Sequence, residues 1–280
     1  MPIDTGFPDA DARDDFTRAR RRQVLARLAA RLRGQPGDVD VILPFNEVLA
    51  ALGRVGERPL GLHVIDVDAI VGSVDRGQEF DRRFRPTSAV SRTRFEQIAA
   101  AERRGQAMPP IDVYRIGEAH FVKDGHHRVA VARARGRRTI DAYVTEVLTQ
   151  SGVEADLRIT DLPVKSHERL LWERVPLPLG QRTRIRLGTA PGYGDLAEAV
   201  EAWGFRLMQA ESRFLDRPTV ARRWFGEEYE PVVAMLREAG LIRDDHHETE
   251  AYLRLAADRY RLLRTHAWDA SVIEALRHHL

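Results

Sequence analysis

Between Ile111 and Gly136 the residues commit the chain to two strands and a helix in quick succession. Pro109-Pro110 leads into the strand Ile111 to Ile116, Gly117-Glu118 turns the chain, and Ala119 to Lys123 returns, so the spacing predicts a β-hairpin. Lys123-Asp124-Gly125-His126-His127-Arg128 then reads as a strand end, a tight turn and a helix that opens on two histidines and an arginine. Asp124 is expected as the N-cap, Gly125 permits the turn, and Gly136 is expected just past the last helical residue. Thr139 to Val147 is a further strand, so helix and sheet must pack as layers here.

The start of such a helix has a chemical character of its own. Its first amides lack intrahelical acceptors and sit at the positive end of the helix dipole, which favours anions. His126, His127 and Arg128 add donors at the same place. A phosphate site is one reading; a capped helix with solvated polar residues is the other. Charge distribution bears on the choice. The chain is nearly neutral at +2, yet residues 120–138 carry six basic groups and one acidic group, and residues 76–104 carry eight and four. Of the 44 basic residues only Lys123 and Lys165 are lysines; codon usage accounts for such a bias, and arginine also suits phosphate and carboxylate clamps. A locally basic helix on a near-neutral molecule fits a compact anion better than a DNA-wide footprint.

Composition excludes several chemistries. There is no cysteine, hence no disulfide, thiolate metal site or thiol nucleophile. No apolar run approaches the ~20 residues that span a bilayer, and the N-terminus carries Asp4, Asp9, Asp11, Asp14 and Asp15 rather than an apolar signal core, so a cytoplasmic protein with no membrane partner is expected. HExxH, Walker A and GxSxG sequences are absent. His246-His247 and His278-His279 are adjacent pairs; neighbours on a helix point about 100° apart, so no metal site is expected from them.

The remaining elements follow in order. A helix is expected from Asp14 to Arg33, ended by Gly34-Gln35-Pro36-Gly37, and its Arg20-Arg21-Arg22 run reads as a solvated face. A short helix, Phe45 to Leu52, precedes a strand at Gly61 to Val67; Asp66 to Val71 is expected to make one helical turn, and Gly72 to Gly77 a loop. Phe80 to Pro86 mixes aromatics with arginines and reads as a core anchor, and Ser91 to Arg104 as a helix. After Leu148 the pattern turns helical. Thr183 to Leu187 alternates like a strand, Pro191 to Gly194 reads as a loop, and helices are expected near 195–212, 218–239, 247–265 and 269–278. The expected fold class is α+β, in three parts: a helical arm at 1–59, a small mixed-sheet domain at 60–148, and a mainly helical region at 149–280.

The segment from about Leu60 to Val147 resembles the ParB/sulfiredoxin superfamily, found in chromosome-partitioning proteins, sulfiredoxins and free-serine kinases. Three features carry the resemblance: Ile65 to Val71 as the opening strand and turn, Pro109-Pro110-Ile111-Asp112-Val113 as the proline-led strand, and Asp124-Gly125-His126-His127-Arg128 in the place of sulfiredoxin's Gly-Gly-Cys-His-Arg and ParB's Gly-Glu-Arg-Arg. Residues 14–147 also look like a bacterial ParB-like group with an arginine-rich N-terminal helix and a Gly-Ser-Val-Asp-Arg loop.

The resemblance implies a nucleotide ligand, ATP, ADP or CTP, together with Mg²⁺. Asp124, Gly125, His126, His127 and Arg128 would cradle its phosphates, with Ser91, Arg92 and Arg94 contributing from the preceding helix. Asp75 and Asp81 stand where the serine kinases hold a catalytic carboxylate, and an Asp beside an Arg in a loop equally makes a local ion pair or a turn. His126 occupies the place of sulfiredoxin's reactive cysteine, so sulfinic-acid repair is excluded. ParB's Glu-Arg pair is absent too, which sets this chain apart from the CTP-gated clamp. Three functions stand side by side: a nucleotide-dependent phosphotransferase or NTPase, a DNA-binding partition-like regulator switched by nucleotide, and a non-catalytic interaction protein. Expected partners are the nucleotide, DNA in the second reading, and a second copy of the chain.

Overall fold

The computed structural model describes residues 4–34, 41–75, 77–152, 157–242 and 248–279. His246-His247 and the side chains of His278-His279 lie outside the described residues. The chain is mixed α/β and divides into two compact units, Met1–Leu162 and Pro163–Leu280. No described helix is long and apolar enough to cross a membrane.

In the first unit, the helix α1 (Pro8–Leu32) starts earlier than expected, because Pro8 tolerates the first helical turn and Asp9 and Asp11 complement its positive end. Next come β1 (Leu43–Pro44), α2 (Phe45–Leu52), β2 (Arg54–Asp66), β3 (Ile70–Ser73), α3 (Arg92–Arg103), β4 (Ile111–Ile116), β5 (Ala119–Asp124), α4 (His126–Ala134) and β6 (Thr139–Thr149). The six strands form one mixed sheet in the order β1-β3-β5-β4-β6-β2. β1, β3 and β5 run parallel, β4 and β5 form the expected hairpin, and β2 pairs antiparallel with β6 along almost its whole length.

Both faces of the sheet are covered, and strand alternation assigns the residues. Ile111, Val113 and Val122 join Phe16, Phe95 and Val129 in one core, while Tyr114, Ile116 and Phe121 join Phe45, Val48 and Leu52 in the other. Gly72 of β3 leaves room for a neighbouring side chain, since a Cβ there would lie 2.1 Å from the Phe121 ring. The expected helical turn at Asp66 to Val71 is instead a short turn followed by β3, which also takes up Gly72 and Ser73 from the expected loop. β2 absorbs residues 54–59 of the expected arm, and Leu157, Ile159 and Leu162 pack beneath α2, so the first unit runs beyond residue 148.

The second unit is helical among the described residues: α5 (Leu162–Arg174, straddling the boundary), α6 (Leu179–Arg182), α7 (Ala190–Glu211), α8 (Arg217–Trp224), α9 (Glu230–Glu238), α10 (Glu248–Leu263) and α11 (Ala270–His279). The expected strand at Thr183 to Leu187 is absent; Arg184 and Ile185 close tight turns on Gln181 and Arg182, with no partner strand. The expected loop at Pro191 to Gly194 is the first turn of α7, where proline's missing N–H costs nothing. The expected helix at 218–239 is interrupted by a π-helical turn, Phe225–Tyr229, just before Pro231, whose missing N–H breaks the regular ladder.

Candidate functional site

Parallel pairing of β3 and β5 brings their carboxyl ends together. Ser73 registers with Val122, and the Val74 amide donates to the Val122 carbonyl at 3.0 Å. The loop after β3, with Asp75 exposed on it, therefore leaves the sheet at the edge where α4 begins.

Gly125 makes the turn. Its φ of +101° lies in the left-handed region, and a Cβ there would lie 2.4 Å from Ile111 Cγ2. Gly125, not Asp124, is the N-cap, and no side chain caps the helix. Asp124 points elsewhere: its carboxylate accepts from Arg128 Nη2 at 2.5 Å. The first α4 amide with an intrahelical acceptor is Val129, which donates to the Gly125 carbonyl. The backbone therefore enters α4 tightly packed and with its early amides turned to one end. Gly136, at φ +72°, follows the C-cap Arg135 as expected.

The two histidines do different things. His126 is 5% exposed and shares a 2.7 Å hydrogen bond through Nε2 with the buried Ser73 hydroxyl. Its ring lies near-parallel to Phe80 at 6.3 Å, with Phe84 at the same distance. Burial and the Ser73 bond make His126 a pin between α4 and β3. His127 packs edge-on to Phe80 and remains partly exposed at the helix start. Arg128 is also committed internally. Its guanidinium donates to the carbonyls of Pro109 at 2.7 Å and Pro110 at 2.5 Å as well as to Asp124, tying the proline-led entry of β4 to α4.

A cavity of about 390 Å³ opens at this place, lined by Arg94, Ile98, Asp124, Gly125, His126, His127 and Arg128. From α3 it is Arg94 that reaches it. Ser91 is buried and donates to Glu79 at 3.3 Å, and Arg92 pairs with Glu96 at 2.7 Å. Arg94 has no carboxylate within 4.0 Å among the described residues. Helix spacing explains the selection, since Phe95 and Ala99 face the core and Arg94 and Ile98, four apart, share the neighbouring face.

Asp81 is a turn former. Its carboxylate is 4% exposed and accepts from the Arg83 and Arg85 amides, each at 3.0 Å, and from Arg85 Nε at 2.8 Å. Burial pushes its pKa up, and the Arg85 bonds oppose that shift. Of the two acids expected near the reaction, Asp75 alone remains solvent-facing. The sequence did not single out Ser73 as the partner of His126; only the β3–β5 register places it there. Among the described residues no three His, Asp or Glu side chains form a metal-binding group.

Fold and site together define a mixed α/β protein whose central sheet presents a basic, anion-sized cavity at the start of one helix. Compared with known proteins, the chain matches no family model, no curated protein and no solved structure.

Proposed function

We propose that the first unit is a ParB/sulfiredoxin-like nucleotide-binding domain, with the nucleotide phosphates held at the start of α4. The observation that carries this reading is the cavity of about 390 Å³ that joins Arg94 to the first turn of α4. Cavity size is within the range of small-ligand sites, roughly 300–1,000 Å³. Helix amides, the dipole, His127 and Arg94 supply donors for an anion, while His126 and Arg128 hold the turn in shape. Mg²⁺ that arrives on phosphates needs only one or two protein carboxylates, and Asp75 and Asp124 are exposed at that end of the sheet. With Asp75 as the base or water-orienting group, the activity is phosphoryl transfer or nucleotide hydrolysis.

A thermal-shift panel of ATP, ADP, CTP and GTP, with and without Mg²⁺, tests the reading on the wild type and on Arg94→Ala/His127→Ala. A nucleotide at a hundred times its dissociation constant stabilises by about 2.7 kcal/mol, and the double variant should lose most of that shift. No shift with any nucleotide would sink the reading. If one binds, product analysis with Asp75→Asn separates an enzyme from a nucleotide-switched, DNA-binding regulator, which a mobility-shift assay would reveal.

A further inference from the structure

The opposite end of α4 opens on a second and larger basin of about 1050 Å³, which shares no lining residue with the first cavity. Eight arginines line it against two acids, Asp66 and Asp68. Some of the arginines are neutralised within the fold. Arg85 pairs with Asp81 and Arg137 with Glu102. Arg133 forms the floor, donating to the carbonyls of Val67, Ile70 and Arg82 at 2.7 to 3.0 Å, with its guanidinium over the Phe84 ring. Burial lowers the pKa of Arg133, opposed by the charges of Asp68, Asp81 and Asp66, with Arg83 adding a smaller push downwards. Around this floor Arg22, Arg83, Arg138 and Arg158 have no carboxylate within 4.0 Å among the described residues.

Four exposed guanidinium groups without a contacting carboxylate share this concavity with Asp66 and Asp68, so an anion that reaches several of them at once gains from each. Arginine forks match phosphate oxygens two at a time, so phosphate chemistry fits better than a lone carboxylate. The shape selects within that class. The aromatic side chain in the basin, Phe84, is 1% exposed, so no stacking platform is offered to a nucleobase. The charges also line one hollow of about 1050 Å³, a size that suits a compact ligand. We propose that this basin binds a compact polyphosphate, a small molecule with several phosphates close together, as a site separate from the α4 N-terminal cavity.

The probe is inorganic tripolyphosphate without Mg²⁺, titrated calorimetrically into the full chain. Reversing Arg83 and Arg138 together, as Arg83→Glu/Arg138→Glu, should weaken this site by about a hundredfold, tenfold for each lost contact. Arg94→Ala/His127→Ala should leave it within about threefold, since each such contact is local. The melting temperature of the reversed variant should stay close to that of the wild type, because both side chains are exposed; if that variant does not fold, Arg83→Gln/Arg138→Gln replaces it. Wild-type affinity in the folded reversed variant, no binding to the wild type, orthophosphate binding as tightly as tripolyphosphate, or a DNA duplex displacing tripolyphosphate and binding more tightly would each overturn the proposal. None of these results touches the nucleotide reading, which is measured on Arg94 and His127.

Discussion

His120 shows how a single buried side chain couples this fold to pH. It sits in β5 at 8% exposure, and burial, helped by the charge of Arg115, lowers its pKa from 6.5 to about 4. The unfolded chain then binds a proton between those values while the folded chain does not. Stability is therefore complete above pH 6.5 and falls as the pH drops towards 4, by up to about 3 kcal/mol at ~1.36 kcal/mol per pH unit. Urea unfolding at pH 7 and at pH 4.5 should show a larger loss for the wild type than for His120→Gln. Equal losses would rule out His120 as the source. Asp81, whose pKa is raised by burial, works in the opposite direction and is present in both proteins, so the comparison isolates His120.

The joint between α1 and α3 is the place where charge and packing meet most closely. Phe16 and Phe95 contact edge to face at 5.5 Å, and Arg103, its side chain 2% exposed, reaches Asp15 at 2.5 Å and Asp11 at 3.8 Å. Removing Arg103 leaves Asp15 with Arg18 and Asp11 with Thr5 as remaining partners, so the loss of the buried pair is partly compensated and costs up to about 3 kcal/mol. The neighbouring Arg104–Asp9 pair is exposed and should contribute at most about 1 kcal/mol. Arg103→Met should thus lower the urea midpoint well beyond Arg104→Met. Equal midpoints would show that the buried triad carries no special weight. The same elements show what local pattern conveys. β4, β5 and α4 are legible because prolines, a Gly-Glu turn and Gly136 punctuate them. β3 is not, because a four-residue buried run has no period to read. The second half of β2 is legible as the strand expected from Gly61, but residues 54–60 escape for a different reason: on an edge strand with mostly exposed side chains, the partner β6, not their own alternation, makes them a strand.

Over the whole molecule, the division at Leu162 and Pro163 makes a prediction about autonomy. A fragment of residues 1–162 should unfold cooperatively, because it contains the full sheet and both cores. A fragment of residues 1–148 should be less stable, because it lacks Leu157 and Leu162 beneath α2, each contributing about 1.5–3 kcal/mol when buried. It also lacks the amides of Gln150 and Ser151, which donate to the Gly53 and Leu52 carbonyls. Denaturant titration of the two fragments checks this, and equal midpoints would mean that the tail is not part of the first unit's core.

At the turn before α4, residues close in sequence determined nearly everything visible from the sequence: a strand end, a left-handed glycine, a basic helix start and an end at Gly136. These are short-range matters of backbone sterics and unpaired amides, which local residues dictate. Tertiary structure alone decided what each of those side chains touches. His126 turned inward because β3 brings Ser73 beside it, and Arg128 was drawn to the Pro109 and Pro110 carbonyls. Asp81 closed a turn, and Arg94 took the cavity wall that Ser91 and Arg92 do not reach. The second basin was hidden for the same reason. Its arginines come from points as distant as Arg22 and Arg158, and no local pattern records that folding places them around one hollow.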